Sequence, residues 1–298
     1  MITKPTTISP QNESDNISMS PNFTVAYSSS SDYISHKKTH WQLSKDDTFI
    51  ISSLIIDKIS ETNLKSYAIS QFILDENKTY YWRARFYNEY DPISDWSEVN
   101  SFSTIYQYSD LNYNGLPDNQ EIYDETIDLD NDNTADIYQS NTKCLQSIID
   151  QTIFSIKSIN YENSIISCRT INPESITTVN NTGHIPDVIL NLKIASQPGD
   201  SVKINLYSSK AIPTDAKWFQ YDIQSGWIDY SEYSSFNSDR KQISFTLKDG
   251  GHGDIDSINN GIIIFPSGYG IMNKSEIDSR SSSKEADDEN CFINILSY

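Results

Sequence analysis

The sequence predicts an all-β protein: two antiparallel β-sandwich domains joined by a loop linker. Three observations carry this. Short runs rich in Val, Ile, Thr, Tyr, Phe and Trp recur along the chain, and Asn, Asp, Ser and Pro punctuate them at the spacing of a sandwich. Where the apolar periodicity is regular its period is two, as in Ser201–Tyr207, which places Val202, Ile204 and Leu206 on one face. At 298 residues the chain is long enough for about two separate cores. The predicted divisions are a first sandwich over 1–105, the linker over 106–140, a second sandwich over 141–275 and a disordered tail over 276–298.

In the first segment the expected strands are Phe23–Tyr27, Thr39–Leu43, Phe49–Ile55, Tyr80–Phe86 and Val99–Thr104. In Tyr81-Trp-Arg-Ala-Arg-Phe86 the alternation looks partly broken, as if arginine stems lay along apolar neighbours. Trp41-Gln-Leu-Ser44, Leu74 with Thr79-Tyr-Tyr-Trp-Arg83, and Ser94-Asp-Trp-Ser97 before Phe102-Ser-Thr104 together resemble a fibronectin type III domain, in the variant common on bacterial surface proteins. The resemblance implies core roles for Trp41 and Tyr81, with Trp82 also in the sheets and Trp96 in the turn before the last strand. An exposed Trp96 would instead offer a stacking face for a sugar. His36 and His40 are expected to be exposed.

The linker carries the most specific spacing. Counted from Asp110, side-chain oxygens fall at positions 1 (Asp110), 3 (Asn112), 5 (Asn114), 9 (Asp118) and 12 (Glu121), with Gly115 at the sharp turn and the Leu116 carbonyl at position 7. A hard cation takes six to eight oxygens, and a chain wrapping it presents alternate residues in this order, so the first loop predicts bound Ca2+. In the second loop Asp128, Asp130, Asp132 and Asp136 fill positions 1, 3, 5 and 9, and Thr134 offers its carbonyl. Asn133 replaces the glycine and Gln139 replaces the terminal acid, which predicts a weaker site. The pair resembles the thrombospondin type 3 repeats of secreted proteins. Without metal the crowded carboxylates should keep the linker extended; with Ca2+ it should order and fix the angle between the sandwiches.

In the second domain, Asp187–Ile194, Ser201–Tyr207, Trp218–Asp222, Gly226–Tyr230 and Lys241–Leu247 read as strands, with a hairpin through Gln224-Ser-Gly226. The glycine-rich stretch 249–270 draws Asp249, Asp254, Asp256 and Asn260 towards one another. That convergence fits either a further metal site or Asx-type bonds to turn amides. His252 has no serine, cysteine or second histidine at a spacing that would connect with it. The Pro198-Gly-Asp200 turn, Tyr221-Asp222, Gly226–Ser231, Phe236–Arg240 and the stretch 249–270 resemble the choice-of-anchor U domain of bacterial surface proteins, over roughly 183–270. Ser257 in place of a glycine and Phe265 in place of an aspartate depart from that pattern. Residues 141–182 match no named pattern.

Composition bounds the function. With 22 basic against 41 acidic residues the net charge is −19, which excludes a nucleic-acid partner. No apolar run reaches membrane-spanning length, and Met1–Pro5 lacks the apolar core of a secretory signal, so an exported protein of this kind is read as part of a longer chain. Cys144 and Cys168 are either bridged, worth about 3 kcal/mol, or two buried thiols. Cys291, in Cys291-Phe-Ile293 after a Ser-rich charged spacer, is either part of an attachment signal or a chance match. The expected function is a non-enzymatic, calcium-binding structural or adhesion protein of the cell surface or extracellular space. Its ligand would be a surface protein or glycan, and its anchoring to the cell envelope would lie in sequence beyond this chain. The alternative is an accessory carbohydrate-binding region of a secreted hydrolase, using Trp96 or Trp227.

Overall fold

A computed structural model describes residues 3–27, 36–88, 93–106, 109–160, 164–176, 186–223 and 225–271. The expectations placed on the tail and on Cys291 lie outside these residues. Within them the protein is all-β, with four sheets and no α-helix. No described helix is long and apolar enough to cross a membrane.

The first sandwich is built from β1 (Pro5–Ser9), β2 (Ser14–Ile17), β3 (Asn22–Tyr27), β4 (His36–Ser44), β5 (Leu54–Ser60), β6 (Ser66–Ala68), β7 (Thr79–Asn88) and β8 (Asn100–Thr104). One sheet runs β1-β3-β6 and the other β2-β8-β7-β4-β5, antiparallel throughout except for the parallel pair β2–β8. Trp41 and Trp82 are fully buried between them, and Phe23 stacks on Trp82 at 4.7 Å.

Three expectations are corrected here. The alternation in β7 is regular rather than broken, so Tyr80, Trp82, Ala84 and Phe86 face the core and Tyr81 lies on the outer face. The reason is the covering of that face: the Arg83 and Arg85 guanidinium groups sit 4.2 and 4.3 Å from the Trp96 ring. The hydroxyls of Ser94 and Ser97 accept from the backbone N–H of Phe86 (2.9 Å) and Ala84 (3.1 Å), holding Trp96 over the arginines. The same cover buries His40, which bonds Asp57, while His36 is buried against Phe86 and Tyr27. The strand expected over 49–55 begins at Leu54; Phe49 has φ +53° and opens a turn that leaves Ile50 and Ile51 exposed.

The second sandwich comprises β9 (Thr142–Gln146), β10 (Ile153–Ser158), β11 (Ile165–Ile171), β12 (Val188–Ala195), β13 (Ser201–Ser208), β14 (Lys217–Asp222), β15 (Gly226–Asp229), β16 (Ser234–Phe236), β17 (Gln242–Lys248) and β18 (Ile262–Gly270). Its sheets run β16-β17-β13-β10-β9 and β11-β12-β18-β14-β15, all antiparallel. Val202, Ile204 and Leu206 share the buried face as the alternation predicts. The β14–β15 hairpin pairs Asp222 with Gly226. Cys144 and Cys168 are free and buried.

The two sandwiches touch directly. Phe72, Ile73 and Leu74 form one apolar cluster with Ile189, Phe219, Trp227 and Ile264. Around it, Lys193 Nζ bonds Asp75 Oδ1 (2.5 Å) and the Ile73 carbonyl (2.8 Å), and Arg169 Nη1 bonds Glu76 Oε1 (3.0 Å). The amide of Asn260 donates to the Leu54 carbonyl at 2.8 Å. The linker, in turn, lies on the second sandwich. Leu116 enters that core, the Gly115 carbonyl accepts from Cys168 N (3.0 Å), and Glu121 bridges to Leu145. Buried Gln120 mimics a strand residue: its Oε1 accepts from Thr170 N (2.7 Å) and its Nε2 donates to Thr170 O (3.0 Å). Protein contacts therefore hold the segment that was expected to be an extended linker. Apolar docking contributes to the angle between the sandwiches independently of any ion.

Candidate metal centre

Both acidic loops fold by one local rule. The first aspartate turns back and accepts from two backbone N–H groups: Asp110 from Asn114 (3.1 Å) and Gly115 (3.0 Å), Asp128 from Asp132 (3.1 Å) and Asn133 (3.0 Å). Positions 3 and 5 continue the coil. Asn112 accepts from Asn114 N at 3.2 Å and Asn114 from Leu116 N at 2.8 Å; Asp130 accepts from Asp132 N at 3.3 Å and Asp132 from Thr134 N at 2.9 Å. Position 9 closes each loop, Asp118 on Leu111 N (3.0 Å) and Asp136 on Leu129 N (2.9 Å). Gly115 and Asn133 take φ of +85° and +70° at the turn. At Gly115 the glycine is also a packing need, since a Cβ would stand 2.0 Å from the Ile166 carbonyl oxygen.

The loops differ in what they bring together. Ligand oxygens of Asp128, Asp130 and Asp136 lie within 4.8 Å of one another, the one such acidic group among the described residues. Asp130 Oδ1, Asp132 Oδ1, the Thr134 carbonyl and Asp136 Oδ1 surround Gln139 Nε2 at 3.5, 3.3, 3.1 and 3.5 Å. An amide donor thus stands at the centre of an oxygen cage. Half a turn of that amide would present Gln139 Oε1 instead, so the residue that looked like a missing ligand faces the centre. Oxygens around Ca2+ sit at about 2.3–2.6 Å, so the cage has the donor set for the ion but must contract to hold it.

Electrostatics point the same way. Asp136 is fully buried, and burial first, then the charges of Asp130 and Asp128, push its carboxyl above the ordinary range. Ser155 donates to Asp136 at 2.5 Å, and Lys157 from β10 pairs with Asp130 and, at 3.0 Å, with Asp132. In the first loop the amides of Asn112 (2.8 Å) and Asn114 (2.5 Å) both donate to Glu121 Oε1, while Lys143 Nζ donates to the Asn114 carbonyl at 2.5 Å. Asp110, Asp118 and Glu121 do not meet the closeness of the second group. Sequence reasoning favoured the first loop and missed Ser155, Lys143 and Lys157. Nothing in their local sequence marks them, because only the pairing of β9 and β10 beside the linker brings them in.

In the stretch 249–260 the side chains serve backbone amides. Asp249 accepts from Gly199 N (2.7 Å) and Gly261 N (3.1 Å); Asp254 from Gly250 N (2.9 Å) and Ile264 N (3.0 Å). Asp256 accepts from Ile258 N (2.8 Å) and from the Asn260 amide (3.0 Å). Asp254 and Asp256 also bond each other; burial raises both, helped by the charge of Asp249 at Asp254 and by that of Asp254 at Asp256. The Asx-type arrangement is the one these distances describe. Of the two tryptophans considered for sugar stacking, Trp227 is 2% exposed and Trp96 is taken up by arginines and His40.

No family model matches the chain, and no curated protein does. Among solved structures it is similar to α-L-rhamnosidases. That from Dictyoglumus thermophilum is 11% identical with a TM-score of 0.30, over 89% of this chain and 27% of that one. Those from Streptomyces avermitilis, complexed with L-rhamnose, and Aspergillus terreus are each 11% identical, with TM-scores of 0.28 and 0.26. The chain spans about a quarter of the length of these proteins, and likeness of this size carries no argument about activity or substrate.

Proposed function

We propose that the chain is a non-enzymatic, calcium-binding structural region of a cell-surface or extracellular protein, serving display or adhesion. The observation that supports this best is the oxygen cage of Asp130, Asp132, Thr134 and Asp136 around one point, beside Asp128. Asp128, Asp130, Asp132, Thr134, Asp136 and Gln139 would hold the ion in the second loop; Asp110, Asn112, Asn114, Leu116, Asp118 and Glu121 would hold one in the first. A divalent cation there would offset the repulsion among carboxylates that Lys157 offsets only in part, and would fasten residues 109–140 more firmly to β9–β11. The alternative, an accessory carbohydrate-binding region, would need other aromatic faces, such as exposed Tyr113, Tyr123 or Tyr138.

Calorimetric titration of the metal-stripped chain with CaCl2 tests the reading. Heat of binding is expected, together with a rise in unfolding free energy of about 2.7 kcal/mol at one hundred times the dissociation constant. Asp128→Ala should abolish binding in the second loop. Ser155→Ala, which removes the donor to Asp136 and a longer contact to Cys144 Sγ (3.4 Å), should weaken it by about tenfold. Absence of heat at millimolar calcium would refute the metal centre.

A further inference from the structure

Between the sandwiches runs a cleft of about 880 Å³, apart from the acidic loops. One wall is β5, which has β4 as its single neighbour and so leaves its other edge unpaired among the described strands. The opposite wall is formed by Tyr221, Ile223 and the segment 255–258. A cleft of this size at a domain junction, mixed in polarity, has the dimensions of a ligand site. Beyond Leu54, whose carbonyl already accepts from Asn260, this strand edge supplies a row of backbone donors and acceptors that select for another strand.

The charge of the cleft selects further. Its charged lining is Asp57, Glu61, Asp222 and Asp256 against Lys58, with Asp57 paired to His40 and Glu61 to Lys38. No lysine, arginine or histidine among the described residues is ion-paired with Asp256 or its neighbour Asp254. Asp254 and Asp256 bond each other, and burial keeps a proton on the pair; a cation set on Asp256 would take that proton's place. The Asn260 amide fixes their place relative to the edge, because it donates both to Asp256 Oδ2 (3.0 Å) and to the Leu54 carbonyl at the start of β5 (2.8 Å). A strand laid on β5 would therefore pass its side chains beside Asp256.

We propose that this cleft binds an extended, basic peptide segment, which adds as a strand to the free edge of β5 and sets a lysine or arginine on Asp256. β5 has seven residues, so the paired segment is about 23 Å long. The proposal is independent of calcium.

The test uses the whole chain and a fluorescent peptide of about seven residues, the length of β5, in which lysine alternates with valine. Anisotropy should show saturable binding. The glutamate counterpart, and a lysine peptide N-methylated at alternate residues so that it cannot pair as a strand, should each bind at least about tenfold more weakly. Asp256→Asn should cost the lysine peptide a similar factor. Should that variant fold poorly, hydrogen exchange on the unaltered chain decides, since the peptide should protect amides within Ile55–Ser60. Equal binding of the N-methylated peptide would reduce the effect to general attraction by an acidic protein and overturn the proposal. So would unprotected 55–60 amides, or a doubled scattering mass showing that a second copy already covers the edge.

Discussion

Removing Asp75 should loosen the junction between the sandwiches, and its cost can be worked from the contacts there. The Lys193 side chain is 7% exposed and its ammonium has two oxygen partners, Asp75 Oδ1 and the Ile73 carbonyl. Asp75→Ala takes away the charged one. Stranding a buried charge costs about 3–5 kcal/mol, but the Asp75 side chain is 42% exposed, so water partly screens the pair and about 2 kcal/mol is the better expectation. Lys193→Met in the same chain removes the stranded charge, and the double variant should recover most of the loss. Urea unfolding of the four species in the double-mutant cycle gives the coupling directly. The pH dependence has a definite sign. Burial would raise the Asp75 carboxyl, yet the Lys193 and Arg169 charges hold it below its ordinary 3.8. Its contribution is then complete above that value and lost as the pH falls through the lower, folded one. A cost for Asp75→Ala under about 0.5 kcal/mol, or a double variant no more stable than the single, would refute the assignment of Lys193 as a buried charge that depends on Asp75.

Two further outcomes follow from the docking of residues 109–140 and from the acid pair. Gln120→Ala should cost about 1–3 kcal/mol, because it leaves the buried Thr170 backbone without partners; proteolysis of 109–140 should quicken, and unchanged cleavage would count against docking of this segment. Asp254 and Asp256 have folded values raised to about 7 and about 8, so their stabilisation is complete below the ordinary carboxylate range and is lost progressively as the pH rises from there to about 7 to 8. Asp256→Asn should flatten the fall in thermal midpoint over that window, and an unaltered slope would place its origin elsewhere.

The strands were legible wherever one face alone is buried, as in β13, since a period of two then leaves its mark. It was obscured in β7, where aromatic residues face inward and arginines cover an outer face that is itself closed by Trp96. The register of both acidic loops was legible because each turn is made by residues within a dozen positions. Which loop gathers its carboxylates was not, because Ser155 and Lys157 come from 19 and 27 residues away. The junction was hidden for a similar reason. Phe72-Ile-Leu74 reads as ordinary core, and Lys193 as the polar step of an alternating strand, until β12 is seen buried on both faces.

The seating of Gln120 on Thr170 changes where the protein can be divided. A cut after residue 140, where composition suggests a boundary, would strip β11 of the groups that satisfy its Cys168 and Thr170 amides and open the core at Leu116. A cut before Ser109 spares those contacts but still bares Phe72 on one piece and Trp227 on the other. Each half is, in that sense, the solvent of the other, and neither surface is finished until both have been made.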